Sequence, residues 1–191
     1  MNRHIEAQRV GVRIRQAQES DARTIAEVHV RGWQWAYRGQ LPDSYLDGLS
    51  ANLEQRTQLW QRTLAHQPEQ RVWVAEADRG IVGFAATFPS RDDDATPQIG
   101  EVGAIYLDTD WAGKGVGRVL FEQALDDLRL LGYDQATLWV LETNERARRF
   151  YEVAGFRPDG ATKVVRCDDF ELRELRYRLD LESLLPGSRI A

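Results

Sequence analysis

Glu101 to Leu131 reads E-V-G-A-I-Y-L-D-T-D-W-A-G-K-G-V-G-R-V-L-F-E-Q-A-L-D-D-L-R-L-L. Val102 to Leu107 is an apolar run suited to a strand. A polar turn follows, then Gly113, Gly115 and Gly117 at alternate positions. From Val116 the apolar residues recur at helical spacing: Val116, Leu120, Ala124, Leu128 and Leu131, with Val119, Phe121 and Leu125 widening the stripe. The unit is strand, glycine loop, helix. The first turn of such a helix has free backbone N–H groups and the positive end of the helix dipole. Glycines let an anion approach that backbone closely. A phosphate or pyrophosphate is the natural guest, with a plain tight turn opening a helix as the alternative.

Two nucleotide motifs fail here. The P-loop pattern G-x-x-x-x-G-K-[ST] is absent. The dinucleotide fingerprint G-x-G-x-x-G needs a third glycine where Arg118 stands.

Composition narrows the field. The chain has 191 residues, enough for one domain with a proper core. Hydrophobic residues make up 42% and charged residues 29%, the balance of a globular rather than a disordered protein. A net charge of -5 argues against a general nucleic-acid partner and favours cationic small molecules. Cys167 is the only cysteine, which excludes an internal disulfide and a cysteine-based metal site and suits a reducing compartment. The longest apolar run, Ile81 to Phe88, is far short of a membrane span. The opening M-N-R-H-I-E-A-Q carries no apolar signal region, so cytoplasm is the default.

Working outward, residues 1–11 read as a leader and Val12 to Arg15 as a short strand. Ser20 and Asp21 offer caps for a helix reaching about Arg31, with Ile25, Val28 and His29 on one face. The aromatic segment after it holds Trp33, Trp35, Tyr37 and Tyr45 and is broken by glycines and Pro42. Ser50 can cap a second helix over 51–65, with Leu53, Thr57, Trp60 and Leu64 inward. Two strands, Arg71 to Ala77 and Ile81 to Phe88, flank a turn at Asp78-Arg79-Gly80. Asp92 to Asp94 reads as a solvated hairpin tip, or as a lure for a cation. Gly132 ends the central helix. Gln135 to Leu141 is the next strand, related to the central one by a βαβ crossover. Asn144 caps a short helix with Ala147, Phe150, Tyr151 and Ala154 on its apolar side, and Gly155 stops it. Thr162 to Arg166 and Phe170 to Leu179 read as a closing hairpin, and the residues from 183 as a tail. No linker splits residues 12–180.

Two stretches together carry a family resemblance. Ala112 to Gly117 is similar to the pyrophosphate loop [Q/R]-x-x-G-x-[G/A] of the GNAT superfamily, the acetyl-CoA-dependent N-acetyltransferases. It departs only at Ala112, where Gln or Arg is usual. Leu138, Val140, Asn144, Ala147, Phe150, Tyr151, Gly155 and Phe156 match the signature L-x-V-x-x-x-N-x-x-A-x-x-F-Y-x-x-x-G-F, in the family's order. The opening I-R-Q-A-Q-E-S-D-A also resembles the family's first strand and helix.

The resemblance implies an α/β (α+β) GNAT fold. Its central sheet is mixed but mostly antiparallel, of about seven strands, with a splayed parallel pair formed by the fourth and fifth, and about four helices flank it. It implies acetyl-CoA as co-substrate, no metal, and acetyl transfer to an amine, with a homodimer allowed. The pantetheine arm would run along Ile105, Tyr106 and Leu107. The pyrophosphate would sit on the amides of Gly113 to Arg118, with Val116 inside that turn and Lys114 and Arg118 adding charge. Asn144 and Ala147 would meet the cofactor arm, and Asn144 also reads as a simple helix cap. Tyr151 occupies the position of a general acid toward the leaving thiolate, or only packs. Glu101 stands where several members carry a base, or is an ordinary strand-end carboxylate. A backbone N–H near Leu107 would hold the oxyanion. Trp33, Tyr37 and Trp139 would wall the acceptor, and His29 reads as structural. A small-molecule amine is the first acceptor class. Protein N-terminal or lysine acetylation is the second, and a non-catalytic acyl-CoA-binding module the third.

Overall fold

The computed structural model describes residues 7, 10–67, 69–167 and 170–183. In chain order it forms β1 (Arg13–Gln16), α1 (Ala22–Ala36), α2 (Asp43–Gly48), α3 (Leu53–His66), β2 (Arg71–Ala77), β3 (Gly80–Pro89), β4 (Ile99–Leu107), α4 (Val116–Leu130), β5 (Gln135–Leu141), α5 (Glu145–Val153), β6 (Arg157–Cys167) and β7 (Phe170–Asp180). Seven strands make one sheet in the order β1-β2-β3-β4-β5-β7-β6. Every neighbouring pair is antiparallel except β4 and β5. The sheet is therefore mixed, as expected, with one parallel pair at its centre.

The two faces bury different helices. On one, Ile25, Ala26 and Val28 of α1 and Trp60 of α3 pack on Val72, Val74, Phe84 and Ala86. On the other, Val116, Val119, Leu120 and Ala124 of α4 cover Ala75, Val82 and Ala85. Phe121, Leu125 and Leu128 cover Val102, Leu138 and Val140. Both stripes follow from the helical spacing of their apolar residues.

Two irregularities in β4 shape the centre of the sheet. The strand pairs with β5 only at Ile99↔Gln135, Gly100↔Ala136 and Glu101↔Thr137, and beyond these the strands part. Its register against β3 slips between Ala86 and Thr87, which leaves Gly103 as an extra residue opposite that step. The bulge resets the alternation: Val102 joins the α4-side cluster with Ile105, while Ala104 and Tyr106 join the α1-side cluster.

Several boundaries differ from the sequence reading. α1 runs through Ala36 instead of stopping near Arg31. The six-residue helix α2 forms inside the aromatic connection. Ser50 does not cap α3; it lies in a 3-10 turn, and its hydroxyl is 3.3 Å from Gln34 Nε2. Ala7, inside the expected leader, is buried, and its carbonyl accepts from the N–H groups of Val10 and Val12. The residues of the expected tail from 184 onward lie outside the described set. Among the described residues, no helix is long and apolar enough to cross a membrane.

Candidate active site

A cleft of about 860 Å³ opens where β4 and β5 part. One wall is the outgoing half of β4, and the other is the end of β5 with the start of α5. The glycine loop closes one end. Gly113 and Gly115 adopt φ of 75° and 85°, left-handed values that L side chains rarely take. Gly115 is the residue before α4, so the first-turn N–H groups of that helix follow directly on a residue with no side chain. A Cβ on Gly117 would come 3.1 Å from Leu107 Cδ1, so this glycine lets the helix start lie close against the strand end. Arg31 fixes the turn from outside: its Nε and Nη2 donate to the two carboxylate oxygens of Asp108 at 2.7 and 3.1 Å.

Most residues expected here from the sequence line this cleft. Ile105, Tyr106, Leu107, Ala112, Gly113, Gly115, Gly117 and Arg118 do, as do Asn144, Ala147, Tyr151, Tyr37 and Trp139. Asn144 caps α5, its Oδ1 accepting from the Ala147 N–H at 3.1 Å. That leaves the amide nitrogen for other partners.

Four expected residues are placed elsewhere. Lys114 extends its ammonium over the Trp111 ring, 5.5 Å from the centroid. The Val116 side chain is fully buried in the core. Trp33 packs edge-on against His29 and Tyr37, behind the cleft wall. The reason is helical phase: His29 and Trp33 lie one turn apart on α1, whereas Gly32, Trp35 and Ala36 face the cleft. Glu101 lies at the foot of the splay, still paired with Thr137, one residue before the cleft-lining Val102. Burial, and next the carboxylate of Asp92, push its pKa up; Lys163 and Arg91 oppose this.

Three phenols converge at the far end. The Tyr37 and Tyr106 hydroxyls are 3.4 Å apart. Burial raises the pKa of both, that of Tyr106 well above the ordinary phenol value. Tyr151 packs its ring against Phe121 and Phe150, at 5.6 and 5.4 Å between centroids. Burial, with a smaller effect of Tyr37, pushes its phenol up as well, so it is protonated at neutral pH. His29 lies 4.8 Å from the Tyr106 ring, and burial lowers its imidazole to about 3, with Arg56 adding to the effect. It is neutral and packs, as the sequence reading held.

The sequence reading missed two contacts across the mouth. The Arg146 guanidinium lies 4.0 Å over the Trp35 ring, and the Thr143 hydroxyl donates to Gln40 Oε1 at 2.7 Å. All four residues line the cleft. Trp35 was visible as one aromatic among four, but nothing local assigned it to the cleft side.

Residues 30–156 match the family described as the acetyltransferase (GNAT) family. The chain belongs to that family. By that membership this GNAT protein is an acyltransferase. It is 31% identical over 169 residues to the uncharacterized N-acetyltransferase YuaI of Bacillus subtilis, covering 87% of this chain and 89% of that one. It is 36% identical over 123 residues to the peptidyl-lysine N-acetyltransferase YjaB of Escherichia coli, covering 64% of this chain and 72% of the relative. It spans less than half the length of the mycothiol acetyltransferases it also matches. Among solved structures, the GNAT fold is shared with the PaiA N-acetyltransferase of Thermoplasma acidophilum in complex with coenzyme A. The TM-score is 0.66 at 21% identity, over 88% of this chain and 98% of that one.

Proposed function

We propose that the protein moves an acetyl group from acetyl-CoA to a primary amine of a small molecule, by direct attack in a ternary complex. The observation that carries this reading is the cleft itself. It opens where β4 and β5 part, with an anion-suited glycine loop at one end and a protonated phenol, Tyr151, further in. The coenzyme A of the Thermoplasma relative supports acetyl-CoA as co-substrate.

In this reading the pyrophosphate sits on the backbone amides of residues 113–118, where helix dipole and free N–H groups favour an anion. Lys114 and Arg118 add positive charge, and Val116 contributes its N–H alone. The pantetheine arm lies along Ile105 to Leu107, facing Asn144 and Ala147. The acceptor enters from the side of Tyr37 and Trp139. Its neutral nitrogen attacks the thioester carbonyl, a C–N bond forms, the C–S bond breaks, and a backbone N–H near Leu107 holds the oxyanion. The amine proton passes through water to Glu101, which does not itself line the cleft. Tyr151 gives its proton to the leaving thiolate.

A small acceptor is favoured by the two contacts that cross the mouth, Arg146 to Trp35 and Thr143 to Gln40, which narrow the path an extended peptide would need. Similarity to the Escherichia coli peptidyl-lysine enzyme favours a second reading, lysine acetylation. We place the protein in the cytoplasm, with neither nucleic acid nor membrane as partner. The test is release of free thiol from acetyl-CoA over a panel of small amines, antibiotics and lysine peptides. Turnover with a small amine supports the first reading, turnover with peptides alone replaces it by the second, and CoA binding without any turnover leaves a binding module.

A further inference from the structure

The Asp92 carboxylate is largely buried, that of Asp94 is 58% exposed, and both hold an internal cation. Arg176, on β7, is 7% exposed. Its Nη1 donates to Asp92 Oδ2 at 3.0 Å and to Asp94 Oδ1 at 2.6 Å, and its Nη2 to Asp94 Oδ2 at 2.7 Å. Its Nε donates to Asp159 Oδ2 at 2.7 Å. One guanidinium thus ties the loop after β3 to β6 and β7. A planar fork suits this task, and a lysine could not reproduce it.

The tie continues into the cleft. Asp92 turns its second oxygen to the indole: Trp139 Nε1 donates to Asp92 Oδ1 at 3.0 Å. Trp139 lies directly opposite Arg176 in the β5–β7 register and lines the cleft. The Lys163 ammonium sits 4.2 Å over the same ring and is itself held by Glu174 at 3.1 Å. The indole N–H is thus held by Asp92, which Arg176 and Ser90 hold in turn, while the Arg176 guanidinium also lies 5.7 Å from the centroid of the indole ring itself. Without that cation, the guanidinium left to these carboxylates among the described residues is that of Arg178, which reaches Asp159 at 3.1 Å and Asp94 at 3.6 Å, while Asp92 keeps the neutral donors Trp139 and Ser90. Like charges would then push the loop outward.

We infer that Arg176 is a positioning residue for acetyl transfer: acting through Asp92, it fixes the Trp139 indole as a wall for the acceptor. This rests on the acceptor lying on the Tyr37–Trp139 side of the cleft, as proposed above.

A spectroscopic readout tests the tie without reference to activity. The six tryptophans give separate indole N–H signals in a 1H–15N spectrum, and Trp139→Phe identifies the one that belongs to position 139. In Arg176→Gln that signal should move toward the position of a solvent-bonded indole. Asp92→Ala should move it too, while leaving Arg176 on Asp94 and Asp159, and so serves if Arg176→Gln folds poorly. An unmoved signal in Asp92→Ala or in folded Arg176→Gln overturns the inference whatever the enzyme transfers. Kinetics test the consequence. Either variant should raise the acceptor KM about tenfold with CoA affinity unchanged, and should add less than about twofold in a Trp139→Phe background, because residues acting through one another are not additive. Equal effects in both backgrounds would overturn the positioning role. A parent that transfers acetyl to no amine would sink the proposed reaction alone, since the indole result stands apart from it.

Discussion

Gly32 leaves the space that the ring of Tyr106 fills. A Cβ on Gly32 would lie 2.8 Å from Tyr106 Cδ1 and 3.0 Å from its Cβ. A glycine inside a helix costs about 0.5–1 kcal/mol relative to alanine. Here that cost lets the β4 side chain lie against α1. The residue that caps the same helix, Tyr37, meets the seated phenol at 3.4 Å. One helix both makes room for Tyr106 and supplies its hydroxyl partner.

Gly32→Ala should therefore destabilise the protein although alanine is the better helix former. Overpacking costs about 1–3 kcal/mol and the propensity gain offsets part of it. A net loss near 1 kcal/mol lowers the melting midpoint by about 2–4 °C in a chain of this size. Thermal unfolding followed by circular dichroism measures it. A midpoint equal to the parent's would mean that Tyr106 swings aside at no cost.

Glu101 carries a paired prediction for stability and activity. Burial raises its pKa above the ordinary glutamate value near 4.3. The folded protein then holds this proton more tightly than the unfolded chain. The stability so contributed is complete below the unfolded value and is lost as pH rises through the folded one. Above the folded value the ionised carboxylate is a burden on the fold, and there Glu101→Gln should unfold at a higher temperature than the parent. The gap should close toward about pH 4, where both side chains are neutral. The same variant should lose about 10²-fold in kcat if the carboxylate is the base, with a changed acidic limb of the pH–rate profile. Higher stability with unchanged kcat would leave Glu101 as a buried carboxylate and nothing more.

How far these features were legible depends on how local their causes are. Gln135 to Leu141 is apolar and closed by Gly132 and Asn144, and β5 has those limits. The glycine loop and the Asn144 cap were equally readable, because each is a spacing within a few residues. β4 begins at Ile99, ahead of the apolar run from Val102, because its first residues are held by β5. Which tryptophan faces the cleft, Trp35 and not Trp33, is set by the phase of a helix that continues past Gly32. Arg176 and its carboxylates come from three distant parts of the chain, so no window contains them. The bulge at Gly103, which brings Val102 and Ile105 to one face despite their odd spacing, is a property of strand pairing and left no mark in the alternation.

Gly115 tests the phosphate end. Its φ of 85° already disfavours any side chain, and an aspartate there adds a negative charge beside the helix start. Gly115→Asp should weaken CoA binding by tenfold or more, roughly 1.4 kcal/mol or above. Calorimetric titration gives the number, with circular dichroism to verify folding. CoA binding at the parent's affinity would remove the loop from the cofactor site.

Tyr151 tests the chemistry. A thiol of ordinary acidity, about 8.5, leaves tolerably as a thiolate, so a proton donor matters most when the acceptor is poorly reactive. The Tyr151 phenol is pushed up by burial and stays protonated across the neutral range, the state an acid requires. Its ring is anchored independently of its hydroxyl by Phe121 and Phe150. Tyr151→Phe should therefore keep the fold and nearly the whole CoA affinity while kcat falls by about 10- to 10³-fold. The loss should be largest for the least nucleophilic amine of a series. Because the phenol does not ionise near neutrality, the basic limb of the parent's profile should not belong to it, and the variant should retain that limb. Steady-state kinetics across an amine series, with a CoA titration on the same samples, decide among the outcomes. Normal kcat would make Tyr151 a packing residue, and lost CoA binding would make it a cofactor-positioning one.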